Sequence, residues 1–367
     1  MSAPRLQTLA LGVATAVLLD GCALARLYRE PLPSEAEKLE VRTEDGWTLG
    51  MVRYRAEGAP KGNPVLLCHG ISANGRNMDL DAEHSLARWF AAHGREAFTM
   101  SLRGNGDSDV ADESAGRSPA YSMDTYATQD IPAAVRKVQE VTGAAKVDYV
   151  GHSMGGMIAY IYLARGGSGF NAAVFLGSPM RFAWGRDLEK LLRDAGGVLG
   201  PLLTTVDVPL LAKVTAPIHG DVRTYADTVL YNPDNVPAPL WKKFMSTGVG
   251  TISGAVLRQF TLWLERDAMV SADGELDYAQ GLARVDTPVF VVAGKLDRIA
   301  PVANVKAGFD ALGGPKRFFI AAEQNGFRHD YGHMDLVLGD RASAELWPRV
   351  LEFLDAHRPD GSRAAAR

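Results

Sequence analysis

The spacing of apolar residues changes several times along the chain, and the changes mark out its elements. Apolar and polar positions alternate in "KLEVRTEDG" and again in "WTLGMVRYRA", the period of strands with one buried face. Glu44-Asp45-Gly46 between them predicts a hairpin turn. Val65–Cys68 is a short, wholly apolar run ending in His69-Gly70, as a strand covered on both faces would read. "EAFTMSLRGNGDSD", "KVDYV" and "AAVFLGSP" supply further strands. Between them, "AEHSLARWFAAHG" and "MDTYATQDIPAAVRKVQEVTG" show helical periodicity, each closing on a glycine. Strands alternating with helices of this length imply crossover connections and a mainly parallel sheet, an α/β fold.

The alternation stops near Met180. From there to about Val285 the chain is helix-rich and irregular, with "DLEKLLRDAGGVLG", "APLWKKFMSTG" and "GAVLRQFTLWLERDAMV". It then resumes with "TPVFVVAGKLD", a helix in "VANVKAGFDALGG", the strand "KRFFIAA" and a closing helix, "ASAELWPRVLEFLDAH". Because the sheet pattern continues on both sides, residues 180–285 read as a helical cap inserted into one core, 41–179 plus 286–358. Residues 22–40 read as a linker and 359–367 as a tail.

A length of 367 residues suits one large domain with an insertion, and 47% hydrophobic with 22% charged residues is ordinary for a globular protein. A net charge of -4 without a basic cluster argues against a nucleic-acid partner. The N-terminus carries one early arginine, an apolar stretch from Leu9 to Leu19, and then Asp20-Gly21-Cys22. The stretch is short of the roughly 20 residues that span a membrane, and its layout fits a signal peptide over residues 1–21. Leu19-Asp20-Gly21-Cys22 resembles a bacterial lipobox, in which the cysteine carries a lipid; Asp20 departs from that pattern. An uncleaved anchor or a plain secretory signal are the alternatives. All three imply export, either anchored to a membrane or released into the periplasm or medium. Cys22 and Cys68 are the only cysteines, so no disulfide framework is expected.

Gly151-His152-Ser153-Met154-Gly155 matches G-x-S-x-G. Its setting matters more than the pentapeptide: a β-rich run ends at Val150 and the all-apolar "MGGMIAYIYLA" follows. That is the strand–turn–helix context of a nucleophile elbow, where small residues two positions either side of the serine let the backbones close. A serine hydroxyl needs a base and the base an orienting acid, following in that fold in the order serine, acid, histidine. Asp297, just past the strand "VFVVAG", is the expected acid; its alternative is to cap the following helix. Asp286 and Asp335 are weaker rivals. Three histidines follow Asp297: His329, His333 and His357. His333 is the expected base, because the apolar "MDLVLG" after it would anchor it. His329 stands between Arg328 and Asp330, and His357 in a charged helix end.

The backbone N–H groups of Met154 and Ile71 are the expected oxyanion donors. A metal at His329 and His333 is not expected: Tyr331 and Gly332 between them do not read as a helix, and no third ligand is set by spacing. Apolar cap residues such as Leu191, Leu192, Phe244, Phe260, Leu262 and Trp263 would either cover an acyl pocket or pack the cap onto the core.

"LLCHG", "SLRGNGDSD", "VGHSMGG", "VVAGKLD" and "YGHMDLVLG" occur in this order across residues 41–358, and together they resemble the α/β-hydrolase fold superfamily. Within it, "CHGISANGRN", "RGN", "DIPAAVRKVQEVTGAAKVDYVGHSMGG" and "YGHMDLVLGD" are most similar to the acid-lipase and gastric-lipase group. Met154 stands where that group often has glutamine, and the cap is not recognisably similar. The resemblance implies an oxyanion loop at Ile71, a Ser153, Asp297, His333 triad, no cofactor, and a small-molecule or lipid carboxylic ester as substrate. Acyl transfer or thioester hydrolysis would use the same residues, and a surface-anchored binding protein with an idle site is a further alternative. Nothing in the pattern points to an oligomeric state.

Overall fold

The computed structural model describes residues 26–183, 205–219, 221 and 225–358. Eight strands form one sheet: β1 (Glu37–Arg42), β2 (Thr48–Tyr54), β3 (Val65–Cys68), β4 (Ala97–Met100), β5 (Val147–His152), β6 (Phe170–Leu176), β7 (Val289–Gly294) and β8 (Lys316–Ala321). Their order across the sheet is β1-β2-β4-β3-β5-β6-β7-β8. Only the hairpin end is antiparallel, at β1/β2 and β2/β4; every pair from β4 to β8 is parallel. β1 starts at Glu37, inside the expected linker, because it pairs with β2 along six residues, from Glu37 against Arg53 to Arg42 against Thr48.

Inner strands have no solvent face, so their side chains divide by parity between two apolar layers. Leu66, Cys68, Phe98, Met100, Tyr149, Phe175 and Val291 point into one layer. Val65, Leu67, Ala97, Val150, Val174, Leu176 and Val292 point into the other. Helices α2 (Ile131–Thr142), α3 (Met154–Ala164) and α5 (Val302–Ala311) cover the first face, and α1 (Leu86–Ala92) and α6 (Trp347–Ala356) the second. α3 is apolar all round because it lies between the sheet and the short helix Tyr278–Leu282, where Gly281 packs on Ala164.

Between β6 and β7 the chain leaves the sheet. Its longest described helix there, α4 (Gly254–Arg266), buries Val256, Trp263 and Leu264 against the first apolar layer. Polar contacts fasten this segment to the core at several places. Gln259 accepts the Met123 N–H at 2.9 Å and donates to Asp124 at 3.0 Å. The Asn74 amide donates to the Thr247 and Val249 carbonyls at 2.9 and 3.0 Å.

The two edges of the parallel sheet are finished differently. At the edge where strands begin, Arg95 is fully buried; it pairs with Asp148 and reaches Asp355 of α6 at 2.7 Å. Asn171 donates to the same Asp148 carboxylate at 2.8 Å. This cluster ties β4, β5, β6 and α6 together. Arg95→Met would leave a buried carboxylate without its cation, and urea unfolding should register a loss of about 3–5 kcal/mol; an unchanged midpoint would deny the cluster a structural role.

Candidate active site

At the opposite edge, where strands end, the chain enters the loops that hold the expected site residues. β4 follows β3 on one side, whereas β5 to β8 extend on the other. The connections after β3 and β5 therefore run to opposite sides, which makes this the switch point of the sheet, the place where open α/β sheets bind their ligands. Ser153 follows β5 directly and His69-Gly70 follows β3.

Ser153 has φ 52° and ψ -119°, a conformation that costs a non-glycine residue about 1–3 kcal/mol. The turn is this sharp because backbones touch around it. A Cβ on Gly151 would come within 2.5 Å of the Gly156 nitrogen, and one on Gly155 within 2.5 Å of the Cys68 carbonyl oxygen. The Ser153 N–H donates to the Leu176 carbonyl at 2.8 Å, which pins the turn to the end of β6.

The other two expected residues meet beside this point. His333 Nδ1–H donates to Asp297 Oδ2 at 2.7 Å, with both side chains buried. Asp297 does not cap the following helix, which starts after Pro301 without a side-chain cap; its Oδ1 instead accepts the Ile299 and Ala300 N–H groups of the loop before that helix, at 2.9 and 2.6 Å. The two sets of bonds use different oxygens, so bonding the loop holds the second oxygen toward the histidine. Gly177, next after Leu176, lies against the pair; a Cβ there would be 3.2 Å from Asp297 Oδ2 and 3.3 Å from His333 Nδ1. The rivals lie elsewhere. Asp286 is exposed before β7, at the far edge of the sheet, and His329 sits 3.7 Å from Glu323. His357 bonds its Nδ1 to the Phe353 carbonyl in α6. Asp335 is buried with its carboxylate occupied by Gly332, Asn232 and Asn235. Among the described residues, no group of three or more histidine, cysteine, aspartate or glutamate side chains could hold a metal ion.

Two further histidines shape the site without having been singled out from the sequence. His69 Nε2 accepts the Leu102 N–H at 3.1 Å, so its proton is on Nδ1, which donates to the Gly70 carbonyl at 2.8 Å. In a trans peptide the carbonyl and the next N–H point in opposite directions. Holding the Gly70 carbonyl therefore turns the Ile71 N–H the other way. Gly70 itself abuts the Ser153 turn, since a Cβ there would be 3.0 Å from Ser153 Cβ. His152 Nε2–H donates to the His333 carbonyl at 3.1 Å, and the two rings lie 4.8 Å apart. Burial drives both helpers toward neutrality. It pushes His69 down to about 4, and it lowers His152 well below the usual imidazole range, helped by the nearby His333 ring. Local sequence pattern carried no signal for these roles, because each histidine acts through a bond to a backbone carbonyl.

The cap residues divide. Trp263 is buried, stacks on Phe182 at 5.3 Å, meets Phe260 edge-on and donates its indole N–H to the Val270 carbonyl. Phe244 stacks on Trp241 at 5.0 Å. These are packing contacts within the segment 180–285 itself. Leu191 and Leu192 lie outside the described residues, as do Cys22 and the apolar run before it. Among the described residues, no helix is long and apolar enough to cross a membrane.

The alpha/beta hydrolase fold family matches residues 63–340. This chain belongs to that family. Among curated relatives, it is 34% identical to human lipase member K over 134 residues, 34% of each chain. It is also 34% identical to rat gastric triacylglycerol lipase over 137 residues, again 34% of each. The matched segment thus spans about a third of the length of these lipases. A non-heme chloroperoxidase from Streptomyces lividans is 24% identical over 292 residues, 72% of this chain and 84% of that protein. Among solved structures, a thermophilic esterase from Thermogutta terrifontis shares the fold with a TM-score of 0.56 at 16% identity, over 88% of this chain and all of that one. A membrane phospholipase A described as a bacterial virulence factor does so with 0.54 at 18%, over 96% of each.

The neutral His69 makes a prediction about acid. An unfolded chain takes up a proton on this imidazole below about 6.5, whereas the folded chain resists until about 4. Its contribution to stability is therefore complete at neutral pH and declines as pH falls through that window. Relative to His69→Gln, the wild-type protein should lose on the order of 2 kcal/mol between pH 7 and pH 4.5 in urea titrations; a gap that stays constant would mean the imidazole is not held neutral.

Proposed function

We propose that this chain is a serine hydrolase that cleaves carboxylic esters through an acyl-enzyme. The hydrogen bond from His333 to Asp297, set beside a serine in a strained turn at the sheet's switch point, carries this reading. With Nδ1–H committed to Asp297, the His333 Nε2 is left as the base that takes the Ser153 proton. The freed alkoxide attacks the ester carbonyl carbon, and the carbonyl oxygen becomes an oxyanion.

Two donors suit that oxyanion. Met154 opens α3, so its N–H is among those a helix cannot bond internally, at the positive end of the helix dipole. The Ile71 N–H is the second, turned by the grip of His69 on the Gly70 carbonyl. When the tetrahedral adduct collapses, His333 returns the proton to the leaving alcohol. Water then attacks the acyl carbon and gives its proton to His333, which passes that proton to the Ser153 oxygen as the carboxylic acid is released.

The lipases named above supply the substrate class: a hydrophobic, lipid-like carboxylic ester. Export is the accompanying proposal, supported by the N-terminal signal pattern, with Cys22 as the lipid acceptor if the protein is anchored.

Ser153→Ala should reduce turnover of p-nitrophenyl esters by about 10³-fold or more with an unchanged circular-dichroism spectrum. A fluorophosphonate should label the wild-type protein at Ser153 alone. Retained turnover in the variant, or labelling at another residue, would place the chemistry elsewhere.

A further inference from the structure

The loop that carries His333 is gripped from two directions. On the core side, the Tyr331 carbonyl accepts the Leu296 N–H at 2.9 Å, and the His333 carbonyl accepts from His152. On the cap side, the Met334 N–H donates to the Leu230 carbonyl at 2.9 Å. There the two backbones nearly touch: a Cβ on Gly332 would be 2.8 Å from the Asn232 nitrogen.

Asp335 stands at the centre of the cap-side grip. Its Oδ2 accepts the Gly332 N–H at 2.8 Å and the Asn235 amide at 2.9 Å, while Oδ1 accepts the Asn232 N–H at 3.0 Å. The Asn232 and Asn235 amides both also donate to the Asp330 carbonyl, at 2.8 and 3.1 Å. The carboxylate is wholly inaccessible to solvent, and burial raises it to about 6. Keeping a charge-bearing group there is costly unless its partners need it. Its partners are two backbone donors and one side chain, from segments that touch nowhere in sequence. One of those donors, Gly332, immediately precedes the proposed base.

We propose that Asp335 is a positioning residue, which couples the cap segment Tyr231–Asn235 to the His333 loop so that the seating of the cap sets where the imidazole stands relative to Ser153. This rests on the serine-hydrolase reading. Asp335 touches no reacting atom; it acts through the backbone of Gly332. The segment Tyr231–Asn235 thus contributes to the reaction through the loop it holds.

The test uses the full-length protein with Asp335→Ala, Asp335→Asn and, from the cap side, Asn235→Ala. End-point titration with a fluorophosphonate counts reactive serines, so kcat is expressed per titrated site. Asp335→Ala should lower kcat about 10- to 100-fold, the scale of a misplaced catalytic group, with KM for a short-chain p-nitrophenyl ester within about twofold of wild type. Asp335→Asn should recover part of that loss, because its amide oxygen can still accept from Gly332 and Asn235, and Asn235→Ala should fall in the same direction. The last two variants decide the matter if Asp335→Ala does not fold. A wild-type protein that resists labelling would overturn the serine reading and this role with it. A labelled wild type, with kcat per site unchanged in Asp335→Asn and Asn235→Ala whatever their melting temperatures, would overturn the role of Asp335 alone.

Discussion

Ser153 can hold a φ of 52° because β5, α3 and the end of β3 meet there with no side chain between them. Gly151 and Gly155 make that contact possible, and the burial of α3 makes it durable. Nearly every residue of that helix is inaccessible to solvent, so unwinding the turn would expose a whole apolar segment. At about 25 cal/mol per Å² of apolar surface, such a segment outweighs the local strain of one residue. The strain is thus held by tertiary packing, and the hydroxyl is left at the crest of the sheet edge.

Other parts of the site are arranged around that fixed point. The loop after β3 closes against Ser153 through Gly70, the end of β6 accepts its N–H, and the loops after β7 and β8 bring Asp297 and His333 together beside Gly177. Parallel pairing puts all of these strand ends on one edge. A second layer of polar groups then fixes the loops. Arg103, over the face of Trp47, joins Asp45 of the first hairpin to Asp130 at the start of α2 and holds the turn after β4. Burial raises Asp130 to about 6 even so, because the arginine only partly offsets its loss of water.

Three imidazoles lie close together at this edge, and their partners separate their duties. His69 bonds a backbone N–H and a carbonyl, and His152 faces a carbonyl; both are surrounded by apolar packing. Neither has a carboxylate to stabilise a proton. His333 alone has one, Asp297. What separates the three rings is therefore what each touches, backbone groups for two and a carboxylate for the third.

Much of this was legible in the chain itself. Alternating and continuous apolar runs marked out the strands and implied a mainly parallel sheet, because helices of crossover length stand between them. Glycines at two positions either side of Ser153 marked the elbow, since only they allow that approach. The boundary of the first strand was not legible, because Glu37 belongs to it by pairing with Arg53 of β2 and not by apolar pattern. His69, His152 and Asp335 were opaque for a related reason. Each acts through a hydrogen bond to a residue remote in sequence or to a backbone atom, and neither kind of partner leaves a trace in local periodicity. Residue order alone determined which side chains could do the chemistry; the convergence of strand ends, and the seating of residues 230–235 on the His333 loop, decided how they are held, because only packing brings such distant donors to one carboxylate.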